Sequence, residues 1–288
     1  MEEVRKSGRK IWLVANEASG SNDAAAFDAV QNACHANGLA IAKRSTFPAD
    51  PLPTHAMLAD AGIEMLAVFA GDGTVNAVLG ALEGWDGEVL VLPGGTMNLL
   101  FHRLFGELSL EEVIAAVGRN RTHRLRLGII SSPLGPAFAE AMAGPGTAWS
   151  NMREAMRGGN LLEMASQAGA AISETVAGDM VASIDPPVGR SEGYPLLMIA
   201  AQQGSLRLIA YHSQTAGEVI EQAAAMAARD FRSGPHEVLA QGEEFTLATP
   251  TGGAFGVLLD GELAEGTGKV RFSLARCEVD LLATRRDG

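Results

Sequence analysis

Asp72 stands between two glycines in the turn Ala70-Gly71-Asp72-Gly73-Thr74, and a second glycine turn, Pro93-Gly94-Gly95-Thr96, follows a little further along the chain. Glycine has no Cβ, so its backbone can turn sharply and approach a ligand closely. Each turn precedes a helical pattern, and a helix N-terminus offers unpaired N–H groups and the positive end of the dipole, a setting that favours phosphate. Thr74 and Thr96 are placed to cap those helices or to donate hydroxyls to phosphate oxygens. An anionic Asp72 does not suit a phosphate contact; its chemistry is that of a group handling a metal ion or a reacting hydroxyl. Gly-rich turns with Asp-Gly are ordinary turn chemistry, and one alone would say little. Two in consecutive units, each with a threonine where the helix begins, point to nucleotide phosphate. GxxxxGK[ST] and GxGxxG are both absent, which excludes a P-loop.

The elements that position these turns are legible around them. Met65–Phe69 and Val89–Leu92 are apolar runs suited to buried strands, and Val75–Leu82 carries a helical pattern, as does the stretch after Asn98 through Phe105. Two strand–turn–helix units in succession imply parallel strands, whose C-terminal ends lie on one sheet edge. Ile11–Ala15 reads as a first buried strand, followed by the polar turn Asn16-Glu17-Ala18-Ser19-Gly20-Ser21 on the same edge. Phe27, Val30 and Cys34 share one helical face, closed by Gly38. Leu39–Ala42 reads as a strand, Pro48–Pro53 as a turn and Thr54–Ala61 as a short helix. Ser109-Leu110-Glu111-Glu112 is a capping box before the apolar stripe Leu110, Val113, Ile114 and Val117.

The β/α pattern stops after Arg119-Asn120, which sets an expected domain boundary near Arg121, with domains 1–121 and 122–288. Arg124–Ile130 reads as a strand leading into the second domain. Segment 131–190 is rich in Ala, Met and Gly, with helical stretches around Trp149–Met156 and Ala165–Val176. From Tyr194 the chain carries short strand-like runs: Leu196–Ala200, Leu206–Tyr211, Glu237–Ala240, Phe245–Ala248, Phe255–Leu259, Val270–Leu274 and Cys277–Leu281, interrupted by a helix at Glu218–Ala228. Close spacing of short strands predicts an antiparallel sandwich, with the last strand free to pack back on the first domain. In this setting Asp260-Gly261 by itself reads as a hairpin turn after Phe255–Leu259.

At 288 residues the chain suits two domains. A net charge of −12, from 22 basic and 34 acidic residues, argues against nucleic-acid binding. Basic patches at Arg5–Lys10 and Arg119–Arg126 leave local contact with a membrane surface open, although for the latter a solvated strand edge with ordinary ion pairs is the default. Cys34 and Cys277 read as small core residues and fit a reducing cytoplasm. No apolar run approaches a membrane span, and Ile11–Ala15 is too short for a secretory signal. The six histidines have no ligand spacing.

Four stretches, taken in order, resemble the diacylglycerol kinase catalytic domain superfamily, which includes bacterial soluble diacylglycerol kinases, YegS-like lipid kinases, sphingosine kinases and ceramide kinases. Asn16–Gly20 sits where that family has Asn-Pro-x-Ser-Gly, with Glu17 in place of proline. Ala70–Thr74 resembles Gly-Gly-Asp-Gly-Thr, with Ala70 in place of the first glycine. Pro93–Asn98 resembles Pro-x-Gly-Thr-x-Asn, and Asp260-Gly261-Glu262 resembles the Asp-Gly-Glu near the C-terminus. NAD kinases and phosphofructokinases share the first glycine motif, but the further motifs of the NAD kinases are absent after Asp72.

The resemblance implies an α/β nucleotide-binding domain of the NAD kinase and diacylglycerol kinase type, plus a mainly antiparallel β-sandwich. It implies transfer of the ATP γ-phosphoryl group to a lipid hydroxyl, such as that of diacylglycerol or a sphingoid lipid, with Mg2+ as cofactor. It further implies that Asn16, Ser19, Gly20, Gly71, Gly73, Thr74, Gly95, Thr96 and Asn98 bind the nucleotide and that Asp72 helps to hold the metal. The catalytic set it implies is Asp72, Asp260 and Glu262, with Asp260 as the base on the acceptor hydroxyl and Glu262 as its support. Partners would be ATP and a lipid acceptor, with transient membrane-surface contact and no nucleic acid, and the location cytoplasmic or peripheral at the membrane; a homodimer is compatible. An NAD or other small-alcohol kinase, and an inactive nucleotide- or lipid-binding relative, remain as alternatives.

Overall fold

The structure is a computed structural model that describes residues 9–16, 24–148, 179–202, 204–211 and 236–285. The chain divides into two compact units, Met1–Leu127 with Arg276–Gly288, and Gly128–Ala275. In the first unit the elements run β1 (Arg9–Ala15), α1 (Ala24–Ala36), β2 (Leu39–Thr46), α2 (His55–Asp60), β3 (Met65–Ala70), α3 (Asp72–Ala81), β4 (Glu88–Pro93), α4 (Leu99–Phe105), α5 (Leu110–Gly118) and β5 (His123–Leu125). β1, β3 and β4 are apolar and buried along nearly their whole length, as parallel strands covered on both faces must be. β2 extends past the apolar run Leu39–Ala42 through Lys43 and Arg44, because an edge strand needs no apolar residues on its exposed side. The Ser109 capping box is formed in full: its hydroxyl accepts from the Glu112 N–H, and the Glu112 carboxylate accepts from the Ser109 N–H.

The second unit carries β6 (Gly128–Ser132), β7 (Gly135–Ala137), β8 (Glu140–Ala143), a 3-10 turn at Pro145–Ala148, β9 (Ala182–Asp185), β10 (Pro187–Val188), β11 (Leu196–Gln202), β12 (Ser205–Tyr211), β13 (His236–Gly242), β14 (Glu244–Ala248), β15 (Ala254–Leu259), β16 (Glu262–Thr267) and β17 (Lys269–Arg276). Among the described residues these form two six-stranded sheets, ordered β10-β9-β14-β17-β6-β7 and β13-β12-β11-β8-β15-β16. Antiparallel pairing runs throughout the second of them. Inward-facing residues of both sheets, among them Ile130, Leu197, Leu208, Phe245, Val257 and Phe272, share one core, so the expected sandwich is present. The stretch Arg124–Ile130 is not one strand but two, β5 and β6, belonging to different units. The strands β7 to β10 and β16 went unseen in the sequence: most are two to four residues long, and β16 is a polar edge strand. The helical stretches expected within 149–178 and at Glu218–Ala228 lie outside the described residues.

After β17 the chain rejoins the first unit as β18 (Asp280–Ala283), which pairs parallel with β4 and antiparallel with β5. The first sheet is therefore ordered β2-β1-β3-β4-β18-β5. Its last strand is shorter than the run Cys277–Leu281 and starts later, although Cys277 and Val279 are buried. Ion pairs fasten this side of the sheet. Glu88, 3 % exposed at the start of β4, receives Arg9 from β1 and Arg124 from β5 (3.0 Å), and Asp280 receives Arg126 at 2.7 Å and Arg124 at 3.5 Å. Arg124 and Arg126 thus serve internal pairs. Among the described residues no helix is long and apolar enough to cross a membrane.

Candidate functional site

In the first unit the strand order reverses between β1 and β3: β2 lies on one side of β1, while β3 and β4 lie on the other. This is the point in a parallel sheet where a crevice opens outside the C-terminal strand ends. Asn16 follows β1 there. Its N–H donates to the Phe69 carbonyl at 3.4 Å, and its side-chain amide donates to the Thr74 hydroxyl at 2.9 Å. Asn16 is thereby tied to the first turn of α3. Ser19 and Gly20 lie outside the described residues.

Gly71 is the N-cap of α3 in extended conformation and, as a glycine, makes no side-chain cap bond of its own. Asp72, half-buried, is the first helical residue, and its Oδ1 accepts the Leu100 N–H at the start of α4 at 3.4 Å. Gly73 and Thr96 are also half-buried, whereas Thr74 and Asn98 are buried. The second turn is held from within. Asn98 adopts a left-handed conformation (φ 52°), accepts the Gly95 N–H at 2.8 Å and donates to the Gly95 carbonyl at 3.0 Å. The Gly94 N–H donates to the Ala70 carbonyl at 3.2 Å, joining the second turn to the first. A Cβ on Gly95 would lie 2.5 Å from the Gly71 Cα, so the two turns touch backbone to backbone. The structure therefore brings together Asn16, Gly71, Asp72, Gly73, Thr74, Gly95, Thr96 and Asn98 at one sheet edge. It uses the Asn98 side chain to shape the loop.

The Asp-Gly-Glu stretch belongs to the second unit. Asp260 (φ 48°) and Gly261 (φ 85°) are the two central residues of a hairpin whose flanking pair is Leu259 and Glu262. Positive φ at both positions is the signature of a type I′ turn. Asp260 is only 4 % exposed, and its carboxylate accepts three backbone N–H groups, from Phe138 at 2.6 Å, Ala139 at 2.9 Å and Glu140 at 2.9 Å. Its own N–H donates to the Glu140 carbonyl at 3.0 Å. Glu262, one residue past the turn, is exposed. The Phe138–Glu140 segment left no trace in the sequence, because backbone N–H groups carry no residue signature.

A metal would be held here by few protein ligands: no cluster of three or more His, Cys, Asp or Glu side chains is found among the described residues. One half-buried carboxylate, Asp72, between two glycine turns suits Mg2+, which takes one or two carboxylates, keeps waters and completes its shell with ligand oxygens. Neither cysteine belongs to the site. Burial pushes the Cys34 thiol up to about 11, and burial also raises that of Cys277. On the ion-paired side, burial chiefly lowers the Arg9 guanidinium, with Arg124 adding to the effect.

Residues 10–130 match the family model of the diacylglycerol kinase catalytic domain. The likeness of the glycine motifs to that domain is thus matched by the family model over this stretch. Among solved structures, a diacylglycerol kinase from Bacillus anthracis str. Sterne superposes with a TM-score of 0.59 at 12% identity, covering 97% of this chain and 98% of that one. A second structure from the same organism, provisionally described as a diacylglycerol kinase, gives 0.60 at 14% identity over 98% of each chain. At these identities the likeness is one of fold. Comparison with curated proteins finds no significant match.

Proposed function

We propose that this protein is an ATP-dependent lipid kinase, transferring the γ-phosphoryl group to a hydroxyl of a lipid such as diacylglycerol or a sphingoid base. The observation that carries the reading is the knitting of two glycine turns and Asn16 at the C-terminal edge of the parallel sheet, where Gly71 and Gly95 meet and Asn16 bonds to Thr74. Backbone donors at Gly71 and Gly73, with the Thr74 and Thr96 hydroxyls, would cradle the phosphates. Asp72 would hold Mg2+, directly or through water, and the ion supplies charge neutralisation of the triphosphate when bound.

In the transfer, the acceptor oxygen forms a bond to the γ-phosphorus while the bond to the β,γ-bridging oxygen breaks, and ADP leaves. The hydroxyl proton goes to a carboxylate. The geometry favours Glu262 for this role over Asp260. Three of the lone-pair positions on Asp260 already accept backbone N–H groups, and protonating it would break bonds that hold the turn. Asp260 then acts as a positioning residue that fixes the I′ turn presenting Glu262, the reverse of the division of labour implied by the resemblance.

The test is incubation with γ-labelled ATP, Mg2+ and detergent-dispersed diacylglycerol, monoacylglycerol, sphingosine, ceramide and phosphatidylglycerol, with NAD as a control. Label in a lipid is the expected result. Label only in NAD would move the chain to a small-alcohol kinase, and ATP binding with no labelled product would leave a nucleotide-binding protein. Asp72→Asn should lower turnover at least a hundredfold while leaving thermal unfolding near that of the native chain.

A further inference from the structure

Beside the glycine turns, on the β2 side of the same sheet edge, two aromatic rings and one arginine gather. Phe69, the β3 residue whose carbonyl accepts the Asn16 N–H, is buried, and the Phe27 ring of α1 packs edge-on against it at 5.5 Å and 90°. The Arg44 guanidinium of β2 lies over Phe27, 4.1 Å from the ring centroid. Arg44 is exposed and Phe27 half-buried. Phe47, also half-buried, follows β2 and is fixed by its N–H to the Ala15 carbonyl at 2.8 Å, while Thr46 and Asp50 close the next turn with mutual bonds of 2.7 Å.

We propose that Arg44, seated over Phe27, is the platform on which the nucleotide base stacks. A planar guanidinium on an aromatic ring is pre-organised to take a second planar group on its outer face. The placement suits a nucleotide. β2 and β3 are separated by β1, so their ends are about 10 Å apart at the usual strand spacing. That is comparable with the reach from the base to the distal phosphates of an extended nucleoside triphosphate. The base then lies at β2, the phosphates at the turns after β3 and β4, and Asn16 between them. Lys43, the neighbour of Arg44, offers a contrast: it packs on buried Trp12 at 3.9 Å, so the two adjacent cations of β2 have separate aromatic seats.

The inference rests on the phosphate-binding reading of the glycine turns, and the experiment separates the two. Calorimetric titration of the full chain with ATP and with inorganic tripolyphosphate, each with Mg2+, is repeated for Arg44→Ala and Arg44→Lys. Loss of one stacking contact predicts ATP binding about tenfold weaker in Arg44→Ala, with tripolyphosphate binding unchanged. Arg44→Lys keeps the charge but not the plane, and should recover less than half of the loss on a logarithmic scale. An equal loss for both ligands would make Arg44 a source of charge only and overturn the platform, as would an ATP affinity within twofold of the native chain. If the native chain binds neither ligand, the phosphate-binding reading fails and the platform falls with it.

Discussion

Gly95 and Gly71, on successive turns of the first sheet, are packed so closely that a Cβ on Gly95 would lie 2.5 Å from the Gly71 Cα and 3.2 Å from the Asn98 Oδ1. Neither neighbour can give way: one is backbone, and the other is bonded to Gly95 itself. The glycine at position 95 is therefore set by the contact between turns.

Gly95→Ala should destabilise the protein by about 1–3 kcal/mol through overpacking and should weaken ATP binding by prising the turns apart. Gly80→Ala is the matching control. That glycine lies in α3 with nothing within 4 Å of a Cβ, so the substitution should stabilise by up to about 1 kcal/mol. Urea denaturation of both variants measures the opposite signs.

Asp260→Asn and Glu262→Gln should fail in different ways. The asparagine turns one oxygen into an N–H2 facing backbone donors, leaving buried N–H groups unmatched at about 1–3 kcal/mol each. Its loss should appear first in the melting temperature. Glu262→Gln is exposed and should melt within a degree or two of the native protein while losing turnover by two orders of magnitude or more. The reverse pattern would return the base role to Asp260.

Glu88→Ala removes a buried carboxylate that binds two arginines. Breaking a wholly buried pair costs about 3–5 kcal/mol, but Arg9 and Arg124 are 37% and 48% exposed and can take up water again. About 1–3 kcal/mol is expected here, and the difference from the native chain should shrink as salt is added.

Cys34, with its thiol raised to about 11 by burial, should resist alkylation at pH 8 in the folded protein and react on unfolding. Its ordinary value is 9.0, so above that pH the unfolded chain ionises the thiol while the folded one does not. Its contribution to stability is therefore complete below about pH 9 and is lost as pH rises through about 11. Denaturant titrations of the native chain and Cys34→Ala across that range should show the native chain alone losing this component.

Local chemistry made much of this protein readable. Apolar runs ending in glycine turns marked β3 and β4, the Ser109 capping box marked α5, and Asp260-Gly261 marked a hairpin, because each signal lies within a few consecutive residues. Where a local signal was weak, the reading stopped short: β2 ended too soon at its polar half, and the edge strand β16 passed unseen.

The sequence by itself determined where the chain turns and which turns carry glycine, since those follow from backbone freedom and hydrophobic period. Only the tertiary structure decided what the polar residues are for. Asp260 meets donors some 120 residues away along the chain, Glu88 meets Arg9 and Arg124 from other strands, and β18 returns from beyond the second unit to complete the first sheet. Such partners are brought together by folding, and a carboxylate aimed at a distant backbone N–H reads in sequence the same as one open to a substrate.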